Sequence, residues 1–105
     1  MAQRVFFLNT LREGVDPAQY EDWIRRVDYP VARRQASIER YEVTRLEGMV
    51  SGEGAPPYQY LEVIDITDID AYRGSMEGNQ EFEQLLTDWS RFVGESIAVW
   101  GENID

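Results

Sequence analysis

DYPVARRQASIERYEV, residues 28–43, changes its repeat halfway along, and that change decides how the chain folds. Upstream of it the pattern is helical. Asp16 is placed to cap a helix, Pro17 fits the first helical position, and Gln19 stands at the third for a capping-box return bond. Tyr20, Trp23, Ile24 and Val27 then recur along one face. Pro30 is expected to end this helix near Asp28, because a residue before proline is pushed out of α geometry. A short helical turn through Val31–Gln35 follows. From Ile38 to Leu46 (IERYEVTRL) the period drops to two, as in a strand with one wetter face.

Working outward, Arg4–Thr10 (RVFFLNT) is β-branched and aromatic with apolar groups on both faces, which predicts a central strand. Ser51–Pro57 (SGEGAPP) reads as a loop, and Tyr58–Ile66 (YQYLEVIDI) as the strand after it. Thr67 with Asp70 predicts a second helix start. Asn79 opens a longer helix whose stripe is Phe82, Leu85, Leu86, Trp89, Phe92 and Val93, with Gly94 as a left-handed cap. Ser96–Gly101 completes the chain as a strand.

The order βαββαβ over residues 1–105 predicts one α+β domain of ferredoxin-like architecture: a four-stranded antiparallel sheet with two helices on one face. Alternation then leaves bulky groups on the bare side. If Val5, Phe7 and Asn9 face the helices, Phe6 and Leu8 face away. A second copy of the chain is the simplest cover, so a homodimer closed as a dimeric α/β barrel is expected.

Composition excludes much. The net charge is −10, all ten cations are arginine, and lysine, histidine and cysteine are absent. Nucleic acid and anionic membrane surfaces are therefore poor partners. Without cysteine, histidine or lysine there is no disulfide, thiolate, imidazole base, ordinary zinc or haem site, or Schiff base. The acids are scattered without EF-hand spacing, so neither metal nor cofactor is expected. No apolar run approaches the roughly 20 residues of a membrane span, and MAQRVFFLNTLREG has no signal-peptide pattern; a cytoplasmic location is the expectation.

The helix carrying Trp23, the Asp28–Ala32 segment D-Y-P-V-A and the strand R-Y-E-V at 40–43 resemble the dimeric α/β-barrel (EthD/antibiotic-monooxygenase-like) superfamily. There a helix ending in His-x-Pro-Leu-x leads into such a strand. Pro30 and Val31 match that motif; Asp28 stands where it has histidine. In length, order of elements and first strand, the whole chain also resembles the REDY-like HapK family, named from gene clusters for red prodiginine pigments. That resemblance implies a role in secondary-metabolite biosynthesis. The superfamily resemblance implies cofactor-free oxygenation or cyclisation of aromatic or polyketide substrates.

Candidate site residues follow from chemistry and placement. A carboxylate at a helix C-terminus is electrostatically unfavourable, so Asp28 asks for a partner such as Arg33, Tyr41 or a ligand. Asp28 is the candidate base, Tyr41 a donor, and Asn9 an orienting amide. Tyr29 stands with Asp28 at the mouth of a cleft. Arg33 and Arg34 either grip an acidic or enolate group there or are solvated cations complementing the helix dipole. Glu62 is either a raised-pKa base or the cross-strand partner of Arg40 or Arg45. Trp23, Trp89 and Trp100 are core residues first and stacking surfaces for a flat ligand second. Two functions remain: a cofactor-free handler of a small, flat, apolar biosynthetic intermediate, or a non-catalytic carrier that docks on another enzyme of the pathway through its acidic exterior.

Overall fold

A computed structural model describes residues 2–105; Met1 of the expected 1–105 domain lies outside it. The strands are β1 (Gln3–Leu11), β2 (Ile38–Arg45), β3 (Tyr60–Ile66) and β4 (Val93–Glu102), in the spatial order β2-β3-β1-β4 with every neighbouring pair antiparallel. The helices are α1 (Pro17–Trp23), α2 (Tyr29–Arg33), α3 (Ile69–Ser75) and α4 (Gln80–Phe92). This is the ferredoxin-like α+β fold the order of elements predicts, with the apolar β1 in the interior of the sheet.

Period two sorts the sheet into a buried face and a bare one. Val5, Asn9, Leu11, Tyr41, Tyr60, Glu62, Ile64 and Ile66 are buried against the helices. α4 presents Phe82, Leu85, Trp89 and Phe92 to them, and Tyr20, Trp23, Tyr60 and Phe92 form an aromatic cluster with centroids 4.9–6.2 Å apart. On the other face Phe6 lies between Val63 and Val99, and Leu8 between Leu61 and Ile97. Ile97 and Val99 are nearly half exposed, so this apolar band is open to solvent in the single chain.

Several ends differ from the sequence reading, each for a local reason. Asp16 and Asn79 cap α1 and α4 as expected, through Ala18 N–H and Phe82 N–H. α3 is capped by Asp68, whose carboxylate accepts from Ala71 N–H; neither Thr67 nor Asp70 takes that role. Gly94 is no left-handed cap. It is already in β4, and a Cβ there would stand 3.2 Å from Arg12 Cα, so the glycine serves close approach between chains of backbone. α4 therefore runs straight into a strand longer than expected.

The largest departure lies at the start of the deciding stretch. Pro30 does not end the helix. Between α1 and α2, residues Ile24–Asp28 form a π turn in which Tyr29 N–H donates to Ile24 C=O, and Pro30 then sits in the first turn of α2, where no N–H is required. The wider turn takes an extra residue. In an unbroken α-helix, at about 100° per residue, Val27 would line up with Tyr20 and Asp28 would sit well round the barrel. Here Val27 is turned out, 36% exposed, and Asp28 is turned in, 4% exposed.

Candidate functional site

Asp28 turns into the protein over the β2–β3 side of the sheet, against Tyr41 of β2. The Tyr41 hydroxyl lies 2.5 Å from Asp28 Oδ2 and 2.6 Å from Glu62 Oε1. Glu62 Oε2 accepts from the Asn9 amide at 2.5 Å, and Asn9 Oδ1 accepts from the Ser96 hydroxyl at 2.7 Å. One hydrogen-bonded row thus crosses the sheet from β2 through β3 and β1 to β4: Asn9 is directly opposite Ser96, while Glu62, opposite Phe7 and Val43, reaches Asn9 and Tyr41 diagonally, each two residues along from its direct partner.

Counting protons fixes the charge of the row. A phenol has one proton, so Tyr41 donates to one carboxyl only. The second short O···O contact needs a proton from the carboxyl side. One of Asp28 and Glu62 is therefore neutral, and the group carries about one negative charge rather than two. Burial acts the same way. It pushes the Asp28 carboxyl up to about 7, helped by the neighbouring Glu62 charge and opposed by the Tyr41 hydrogen bond and Arg33. Burial also raises Glu62, against hydrogen bonding from Tyr41 and Asn9. The same burial and both acids hold the Tyr41 phenol far above its ordinary range.

Beside this row lies a cavity of about 40 Å³ between sheet and α4, walled mainly by apolar groups such as Phe7, Ile64, Tyr72, Phe82, Leu85 and Trp89, with Asp28, Tyr41 and Glu62 as its polar side. Its volume corresponds to about three waters. Leu86, 38% exposed, also lines it. A carboxyl, a phenol and a carboxylate in hydrogen-bonded contact can pass a proton between the cavity and the sheet, and can offer an acceptor to whatever enters.

The structure brings Asp28, Tyr41, Glu62 and Asn9 together and sends the other candidates elsewhere. Asn9 does not line the cavity; both ends of its amide are committed, so it positions Glu62. Glu62 is no partner of Arg40 or Arg45, which pair with Glu42 and with Glu21 and Glu47. Arg33 donates to the Tyr41 carbonyl at 2.9 Å and stacks 3.9 Å over the Tyr29 ring, and Arg34 pairs with Glu81 at the surface. Neither arginine reaches the cavity. Tyr29 is tied to the β2 backbone, where its hydroxyl accepts from Val43 N–H at 2.9 Å. Trp23 is packed in the aromatic cluster with its buried indole N–H unpartnered, as is the Tyr20 hydroxyl. Trp100 shares Val5's sheet face but sits on outer strand β4, 44% exposed and away from the cavity.

Sequence reasoning passed over Phe7, Tyr72 and Ser96. Phe7 was findable, since alternation puts it on the face of Val5 and Asn9. Ser96 follows only from the register of β4 against β1, which no local pattern fixes.

An antiparallel sheet with helices on one side, and a row of buried acids beneath a small apolar cavity, defines a ferredoxin-like protein with an internal carboxyl site. Residues 3–104 match the family described as REDY-like protein HapK, and the chain belongs to that family. HapK from Hahella chejuensis superposes with a TM-score of 0.76 at 30% identity, covering 97% of this chain and 92% of that one. An ethyl tert-butyl ether D (EthD) family protein from Bacillus halodurans C-125 gives a TM-score of 0.76 at 19% identity, over 99% and 100%. A protein from Thermobifida fusca YX, described as dimeric, ferredoxin-like and of unknown function, gives 0.73 at 19%, over 96% and 90%. No curated protein matches the chain. Among the described residues no helix is long and apolar enough to cross a membrane.

Proposed function

We propose that this chain is a cytoplasmic, cofactor-free protein of secondary-metabolite biosynthesis, of the prodiginine-pigment type, which holds one end of a small, flat, largely apolar intermediate in the cavity beside Asp28. The observation that carries the reading is a carboxyl group buried against a phenol and a second carboxyl at the wall of an apolar cavity. Membership of the HapK family supports the biosynthetic setting. In this reading Asp28 is the base that exchanges a proton with the ligand, Tyr41 relays it, Glu62 shares it, and Asn9 with Ser96 holds Glu62 in place. Shape, exclusion of water and a placed proton acceptor are the means of catalysis.

The functional unit we propose is a homodimer joined through the band of Phe6, Leu8, Leu61, Val63, Ile97 and Val99. An apolar stripe across three strands favours such a cover, and relatives of the same fold are described as dimeric. Light scattering on the purified protein checks this: a dimer that Leu8→Glu converts to a monomer supports it, and a monomeric wild type refutes it.

Incubation with pyrrole and polyketide intermediates under oxygen tests the chemical role. Turnover lost in Asp28→Asn supports catalysis. Binding without turnover in the wild type favours the second reading, a carrier that docks on another pathway enzyme, for which the net charge of −10 provides an acidic exterior. Absence of both binding and turnover refutes the small-molecule role.

A further inference from the structure

The cavity has a sign. Its lining holds two acids and no arginine, since Arg33 and Arg34 are engaged elsewhere. Within the acid row nearly every polar atom is spoken for: Tyr41 between two carboxyls, Glu62 between Tyr41 and Asn9, Asn9 between Glu62 and Ser96. The exception is Asp28 Oδ1. Asp28 is 96% buried and lines the cavity, yet only its Oδ2 is hydrogen-bonded among the described residues. Among the described residues the fully enclosed side-chain atoms without a partner are the Tyr20 hydroxyl and the Trp23 indole N–H, not this oxygen, so Asp28 Oδ1 keeps some accessible surface and has a free lone pair for a donor arriving through the cavity.

The walls limit what can bring that donor. With about 40 Å³ the cavity admits a small group and no bulky one, and a lining that includes the rings of Phe7, Tyr72, Phe82 and Trp89 suits a flat one. The proton count leaves about one negative charge on the row, which a cation compensates and an anion opposes. From these observations we propose that the cavity takes the flat, cationic N–H end of a nitrogen base, an amidinium or iminium-type group, with Asp28 Oδ1 as its acceptor and the Asp28–Tyr41–Glu62 row as its counter-charge. The proposal rests on reading the cavity as a small-molecule site and names the ligand class for it. It takes the place of the alternative in which Arg33 and Arg34 grip an acidic or enolate group here.

Bound in this way, the base donates one N–H to Asp28, and no proton need be gained or lost if Asp28 is already ionised. At lower pH the carboxyl must first release its proton. The groups facing Asp28 are Tyr41 on β2, Glu62 on β3, Tyr20 on α1, Tyr72 on α3 and Arg33 on α2; Glu62 is the other carboxyl among them, and burial raises it in the same sense.

Three probes of one shape decide the matter: benzamidine, benzamide and benzoate, titrated into the full chain by amide NMR at about pH 8 and about pH 5. Benzamidine is expected to bind about tenfold or more tighter than benzamide at the higher pH, the size of one charge-assisted hydrogen bond, with benzoate weakest. Its advantage should shrink at the lower pH and vanish in Asp28→Asn. If that variant does not fold, the pH series on the unaltered protein decides. Equal binding of benzamide, or stronger binding of benzoate, overturns the ligand class while leaving a small-molecule site. No cavity shifts with any probe up to millimolar concentration overturn both.

Discussion

Raising the pH from about 4.5 to about 8 is expected to weaken this fold, and Asp28→Asn is expected to remove much of the loss. Asp28 ordinarily titrates at 3.8 and here at about 7, first because it is buried and next because Glu62 is beside it. Between those values the native chain keeps a proton that the unfolded chain has released. The native state then binds more protons, so stability falls as pH rises and levels off above 7. At about 1.4 kcal/mol per pH unit, the separation amounts to about 4 kcal/mol, of which about 3 kcal/mol is lost between about pH 4.5 and about pH 8. That is a large fraction of the about 5–15 kcal/mol that a domain has. Glu62 is raised too and adds to the loss. The opposing group is Glu21, which Arg45 holds at about 2; its contribution changes below about pH 4.5 and stays out of the window. Urea unfolding followed by tryptophan fluorescence at several pH values measures the curve directly. Asparagine keeps the shape and an acceptor for Tyr41 but cannot ionise, so Asp28→Asn should be more stable than the wild type at about pH 8 and flatter across the range. A wild-type stability that rises or stays level over this window, or an Asp28→Asn slope equal to the wild type's, would refute the buried-acid account.

Three further outcomes follow from the contacts. Tyr41→Phe removes the hydroxyl both carboxyls share and is expected to cost about 2–4 kcal/mol at about pH 8 in the same assay. Arg33→Ala loses a hydrogen bond to the Tyr41 carbonyl and the stacking on Tyr29, lowering stability by about 1–2 kcal/mol, and removes a cation that holds the Asp28 carboxyl down, so Asp28 should titrate higher still; an unchanged stability in urea unfolding would refute the structural role. Gly94→Ala puts a methyl group 3.2 Å from the Arg12 backbone and should lower the melting temperature by several degrees, as about 1 kcal/mol does in a chain of this size.

Much of the architecture could be read because repeat length is a local property. RVFFLNT could only be an interior strand, and the α4 stripe could only face a sheet. Parts of the site were legible in the same way: Glu62 stands at period two among Tyr60, Ile64 and Ile66, which already puts it on the apolar face. What resisted reading depended on distant partners or on small backbone choices. Whether Arg33 turns to a ligand or to the Tyr41 carbonyl is a matter of side-chain torsions, not of pattern. The close pass of Arg12 against Gly94 joins residues eighty-two places apart. The π turn arises where a proline meets a helix that tertiary packing keeps going, and it decides whether Val27 or Asp28 faces inward.

That turn makes the acid's position a matter of chain length as much as of residue type. If this turn closed into an ordinary helix with every residue kept, everything after it would swing by about 100°, whereas an ordinary helix one residue shorter would still carry the acid inward. A relative one residue shorter at this point could hold the same carboxyl inward without any π turn, while one of equal length that keeps a plain helix would hold it out in the water, so chain length and local hydrogen bonding together decide whether this chemistry is present.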